Sequence, residues 1–265
     1  MTRRRRIAIY AVAAVVIWFG ALALGNLAFE GRTRVRIGER ISESLQANAT
    51  IDSGDLALVR GAFELDRVAV RRDDAIGHLA ITIANVHCEL APLGWALVDH
   101  HCRELALRGT RLEASTAALF KLNRPKRPPL HAGSVVIDDA RFELLASELV
   151  PGVGHLAISI EHADAGDTTF KTPLSWIFAL RALRATVELP SGVTLRLSYD
   201  GGELRISGGV FGATPVAVTV ALPVADVADD PRAEVARLVA FGKEVAQQLI
   251  AGKASAWLKS KLSLP

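Results

Sequence analysis

The sequence predicts a mainly β protein with helices: an N-terminal transmembrane helix, a twisted antiparallel β half-pipe of two tandem β units, and a C-terminal amphipathic helix. Three observations predict it. An uncharged stretch of 19 residues runs from Ile7 to Gly25. Apolar and polar residues then alternate through most of the region 49–223, the period-two mark of strands with one buried face. Beyond Asp230 the apolar residues recur instead at helical spacing.

The first segment, residues 1–29, reads as a membrane anchor. At about 1.5 Å per residue the uncharged stretch makes a helix of about 29 Å, close to the thickness of bilayer hydrocarbon. Ile7, Val15, Trp18 and Leu24 fall within the membrane on this reading. A basic head, an apolar run and Ala21-Leu22-Ala23 also fit a secretory signal. Signal h-regions span about 7–15 residues, however, so an uncleaved anchor is the preferred reading. Arg3, Arg4, Arg5 and Arg6 stand on one side, and Arg32, Arg34, Arg36 and Arg40 on the other. The first cluster is tighter and carries the terminal amine. The positive-inside rule then puts the N-terminus in the cytoplasm and the bulk outside it.

Charge excludes a general nucleic-acid binder. Of 31 basic residues, removal of the four leading arginines leaves 27, against 28 acidic ones. The remainder is nearly neutral and projects no basic field. A local patch, Lys121, Arg124, Lys126 and Arg127, fits a solvated loop or a contact with anionic headgroups. Cys88 and Cys102 are the two cysteines. In an oxidising compartment they fit either a disulfide or two buried thiols.

A connecting helix is expected within 30–48, where Ile37, Ile41 and Leu45 form one stripe. Strands follow. Phe63 and Leu65 alternate with polar partners, and Val68 and Val70 resume out of phase, as across a bulge. Leu79, Ile81 and Ile83 give way in the same manner to Val86, Cys88 and Leu90. Leu105 and Leu107 come next, then Ile137, Phe142 and Leu144, then Leu156, Ile158 and Ile160. The cleanest set is Val193, Leu195, Leu197 and Tyr199, with Leu204, Ile206, Val216, Val218, Val220 and Leu222. Asp200-Gly201-Gly202 supplies a tight hairpin turn. Residues 121–131 hold three prolines and read as the joint between the two units. Each unit carries a Pro-Leu-x-Trp segment, with Trp95 in the first and Trp176 in the second, 81 residues apart. This suggests a repeat. Thr172 and Pro173 read as cap and first residue of a helix.

In the last segment, 224–265, Asp230 caps a helix to about Leu262. Val235, Leu238, Val239, Val245, Ala246, Leu249, Ile250 and Trp257 share one side, facing away from Arg237, Glu244, Gln247 and Gln248. Such a helix covers a sheet or lies on a membrane surface, the latter with help from Lys253, Lys259 and Lys261.

Chemistry is sparse. His87, Cys88, His100, His101 and Cys102 cluster in sequence, but no C-x-x-C or H-x-x-x-H spacing occurs, and strand neighbours point to opposite faces. No metal or cofactor is expected. No G-x-S-x-G is present. Asp73 and Asp74 read as turn residues, and Asp138 and Asp139 as a strand edge or turn. Catalysis is not expected.

Several stretches carry a resemblance: Ile51-Asp52-Ser53-Gly54-Asp55-Leu56-Ala57-Leu58, then Phe63-Glu64-Leu65-Asp66-Arg67-Val68-Ala69-Val70, then Leu90-Ala91-Pro92-Leu93 and Glu104-Leu105-Ala106-Leu107-Arg108-Gly109-Thr110-Arg111-Leu112. Together with the anchor they resemble the N-terminal region of AsmA-type inner-membrane proteins, relatives of TamB and of chorein-like bridge proteins. Val136-Ile137-Asp138-Asp139-Ala140-Arg141-Phe142 is similar to the strand that opens the next unit in that family. The resemblance implies a β half-pipe over 49–223 that holds phospholipid acyl chains, in the envelope of a Gram-negative bacterium. The chain would be a single-pass inner-membrane protein with its bulk in the periplasm. Members that bridge the periplasm are several times longer, so a short lipid-binding or lipid-transfer module is expected. The groove residues expected are Trp95, Leu105, Leu107, Ile158, Ile160, Trp176, Val193, Leu195, Leu197, Leu204, Ile206, Val216, Val218 and Val220. Partners would be the inner membrane, phospholipid and other envelope proteins. The rival reading is an adaptor whose C-terminal helix fills the same face.

Overall fold

The computed structural model describes residues 34–43, 45–57, 61–74, 77–90, 101–115, 117–118, 130–145, 156–189, 192–208, 216–223 and 230–262, together with Gly20. The anchor residues Ile7, Val15, Trp18 and Leu24, the segment around Trp95, and residues 121–129 lie outside these. Among the described residues no helix is long and apolar enough to cross a membrane.

A helix at 34–43, α1, turns Ile37 and Ile41 against the core, and Leu45 follows them there. Ser42 Oγ accepts the amide of Ala49 at 3.0 Å and leads the chain into β1 (Asn48–Ala57). The strands after it are β2 (Ala62–Asp74), β3 (Gly77–Glu89), β4 (His101–Ser115), β5 (Leu130–Leu145), β6 (Leu156–Ala165), β7 (Thr168–Phe170), β8 (Leu180–Glu188), β9 (Thr194–Asp200), β10 (Glu203–Ser207) and β11 (Val216–Thr219). They form one 11-stranded sheet in chain order, except that β7 pairs with β5 off the main path. A long helix, α2 (Pro231–Leu262), follows.

The sheet is mixed, which corrects the expectation of antiparallel pairing throughout. β4 and β5 run parallel, from His101 opposite His131 to Ser115 opposite Leu145. A parallel neighbour needs a crossover that returns the chain to its starting end, and residues 116–129 make that return. The joint between the two expected units is therefore a paired seam inside one sheet. Asp73 and Asp74 also differ from expectation, closing β2 rather than lying in a turn, and Asp138 and Asp139 sit within β5. The hairpin at Asp200-Gly201-Gly202 forms as expected, with φ of 56° at Gly201 and 99° at Gly202. Positive φ at both centres suits the twist of the flanking strands.

The phase shifts in the alternation have one common cause. Asp52, Arg67, Ala84, Gly109 and Asp139 lie on one line across β1 to β5, at the position where each ladder skips a pair. Arg67, Gly109 and Asp139 have φ of 51°, 62° and 50°. On either side of this line the inward residue changes from odd to even numbers, as from Leu65 to Val68 or from Ile137 to Ala140. All the strands shift together, so their apolar rows stay matched. The line ends at Glu161, where a register shift between β6 and β8 absorbs it. Strands β8 to β10 consequently alternate without interruption, which is why that region reads most clearly in sequence.

Gly109 is the tightest point on the line. A Cβ there would stand 2.8 Å from Cβ of Ala84, in a left-handed conformation that disfavours any side chain. Gly109→Ala is expected to lower the free energy of unfolding by about 1–3 kcal/mol, measured by urea denaturation.

Candidate functional site

Two rows define the apolar face. Leu65, Val86, Leu107, Ile137, Ala163, Leu183, Tyr199, Leu204 and Val218 are successive ladder partners from β2 to β11. Val70, Ile81, Leu112, Phe142, Ile158, Val187 and Leu195 form a second row on the same side. Such rows follow from period two, because inward positions on neighbouring strands meet directly.

Most of the expected groove residues lie on this face. Leu105, Ile160, Leu204, Ile206, Val218 and Val220 are buried, and Leu107, Ile158, Leu195 and Leu197 are half-buried against the same core. Val216 faces Ile206 across the β10–β11 ladder. Val193 stands just before β9, in the hairpin, where its carbonyl accepts the amide of Leu189 at 2.9 Å.

Three elements cover parts of the face. The stripe of α1 packs at the β1–β2 end. Nearby, Arg72 continues the inward phase of Val68 and Val70 and is itself buried. Its guanidinium donates to the carbonyls of Leu45 at 3.1 Å and Ala118 at 2.9 Å, clamping α1 to the turn after β4. Between β7 and β8 the segment expected as a helix is a short 3-10 turn, Ser175–Ala179. Thr172 does not cap an α-helix there. Its hydroxyl instead accepts the amide of Leu174, and the Ser175 hydroxyl accepts those of Lys171 and Thr172. The turn lays Trp176 against Phe142 with ring centroids 6.2 Å apart.

The third cover is α2. Asp230 caps it as expected, its carboxylate accepting the amide of Arg232 at 2.9 Å. Val235 is buried, and Leu238, Phe241 and Val245 pack against the core. Of the other apolar positions expected on this side, Val239 is half-buried and Ala246 exposed, while the side chains of Leu249, Ile250 and Trp257 lie outside the described set.

Glu234 fixes α2 to the 3-10 turn. Its Oε2 accepts from Ser175 Oγ at 2.7 Å and from Thr172 Oγ1 at 2.8 Å, and all three residues are buried. Burial pushes its carboxyl up from the ordinary range, opposed by the two hydroxyls and by the charges of Lys171 and Arg237. A raised acid holds its proton longer in the folded state. Its contribution to stability is then full below the ordinary carboxylate range and falls as pH rises through the folded value. Glu234→Gln is expected to remove that decline from the stability-versus-pH curve between acid and neutral pH. Glu234→Ala leaves two buried hydroxyls without this acceptor and is expected to cost about 1–3 kcal/mol at pH 7, measured by urea denaturation.

The other face carries polar pairs. His162 meets Asp138 at 2.8 Å, and Arg141 bonds Glu143 at 2.7 Å and Glu188 at 3.2 Å. His131 lies 3.1 Å from Thr169 Oγ1 and stacks on His101. Cys88 and Cys102 are joined in a disulfide. Among the described residues no group of three or more His, Cys, Asp and Glu is placed to hold a metal ion.

Sequence reasoning missed Arg72, Thr110 and Glu234. Arg72 and Thr110 carried a signal, being polar residues in the inward phase of an apolar strand. Glu234 carried none, since its partners lie 59 and 62 residues away. No family model matches the chain, and no curated protein matches it.

Proposed function

We propose that the protein is a membrane-anchored periplasmic lipid-binding or lipid-transfer module, working without catalysis in envelope homeostasis. Residues 7–29 anchor it in the inner membrane, and the sheet curls into a half-pipe whose apolar face holds phospholipid acyl chains. The observation that carries this reading is the unbroken apolar face, on which Ile158, Leu183, Leu195 and Leu197 remain half-buried. Contact with an acyl chain stabilises by about 25 cal/mol per Å² of apolar surface buried. The resemblance to AsmA-type proteins supports the same reading. So does the disulfide, which suits an oxidising compartment.

A second reading has its own observation. Val235, Leu238, Phe241 and Val245 already occupy part of the face, as expected of an adaptor that fills its own groove. Native mass spectrometry of the full chain, purified in mild detergent, separates the two. Co-purified phospholipid at near one per chain is expected; a lipid-free protein supports the adaptor.

A further inference from the structure

Two buried polar atoms on the apolar side have no hydrogen-bond partner: Oγ1 of Thr110 and Nε1 of Trp176. Thr110 is 6% exposed and Trp176 3%. The ladder brings them to one patch. Thr110 pairs with Ala140, and Leu112 with Phe142. Thr110 is thus diagonal to Phe142 on the same face, and the Trp176 ring lies against Phe142. A buried donor left unpaired is costly. The direct ladder partners of Thr110, Ile83 and Ala140, are apolar and offer no side-chain acceptor.

Resting on the lipid-binding reading above, we infer that this patch takes the carbonyl oxygen of a fatty acyl group. The carbonyl accepts from the Thr110 hydroxyl and from the Trp176 indole N–H, since one such oxygen has two lone pairs. The chemistry selects a neutral group. No cation stands among the ladder partners of Thr110 and Phe142, so an ionised carboxylate would be buried there without a counter-charge. An ester carbonyl is uncharged and heads a chain that the apolar face around it can hold.

The test compares three probes on the full chain in detergent: dioleoylphosphatidylcholine, its diether analogue, and oleic acid. The diether keeps chains and headgroup but lacks both carbonyls. The diester is expected to bind roughly fivefold tighter than the diether, the factor that one neutral hydrogen bond supplies. Oleate at neutral pH is expected to bind no tighter than the diether. In Thr110→Val the diester-to-diether ratio falls to about one, while resistance to urea is kept or raised, because an apolar group of the same shape replaces an unpaired hydroxyl. Thr110→Ser keeps the ratio, and Trp176→Phe lowers it. Equal binding of diester and diether by the wild type overturns the inference and leaves lipid binding standing. A ratio that survives in both Thr110→Val and Trp176→Phe also overturns it, as does oleate binding tighter than the diester. Binding of none of the probes overturns both readings.

Discussion

Trp176→Ala lowers the free energy of unfolding by about 3–5 kcal/mol, the range for truncating a large buried aromatic. At about 2–4 °C per kcal/mol for a chain of this size, the thermal midpoint falls by about 6–20 °C. The indole is nearly inaccessible and rests on Phe142. Its turn has little stability of its own. It is five residues long, and its backbone bonds are few, Ser175 to Thr172 and Ile177 to Leu174 among them. Turns so short are held by what they bury. Loss of the indole therefore empties a volume and also loosens the segment that receives Glu234 from α2. Trp176→Phe keeps a ring against Phe142 and is expected to cost less than half as much. Thermal unfolding followed by far-UV circular dichroism measures both. A loss under about 1 kcal/mol for the alanine variant would mean that the turn is held by the Glu234 hydrogen bonds instead.

Where a structural feature had a local period, the sequence revealed it. The stripe of Ile37, Ile41 and Leu45 on α1 and the cap at Asp230 are contained in a few adjacent residues, and both are found. The phase changes at Arg67 and Ala84 were visible as breaks in alternation. Their alignment into one line was not, because alignment depends on register and register is set between strands. The same limit hid the parallel seam. Nothing within β4 or β5 distinguishes a parallel from an antiparallel neighbour when both are buried on one face only. At the candidate site, the apolar residues were legible through periodicity, whereas the Glu234 contact joins distant elements and was not. Thr110 stood in phase with Leu112 and Ala114, a polar residue where only apolar ones were expected, and its meaning emerged only with its missing partner.

Removal of the disulfide by Cys88→Ala with Cys102→Ala is expected to cost about 3 kcal/mol, the value for a closed loop of about 15 residues. The two cysteines are 14 apart in sequence, with Cα atoms 5.5 Å apart. The ladder itself pairs Cys88 with Leu105, not with Cys102. Cys102 reaches the same face because Arg103 and Glu104 both turn outward, so burial resumes at Leu105 without the usual alternation. That irregularity is shared with β5, where the ladder skips the Arg103–Gly133 pair and a Cβ on Gly133 would meet the Arg103 carbonyl at 3.0 Å. The bond therefore ties β3 to the one part of β4 that regular pairing does not reach, beside the parallel seam. Both sulfurs belong to fully buried residues, so a reductant gains access to them only when this end of the sheet opens. Dithiothreitol is expected to leave the folded protein oxidised for hours under native conditions and to lower the urea midpoint to that of the double variant once unfolding begins. Thiol titration with and without urea, alongside unfolding curves of both proteins, reads the two effects separately. A double variant within about 0.5 kcal/mol of the wild type would assign this end of the sheet to packing alone, with the bond adding nothing.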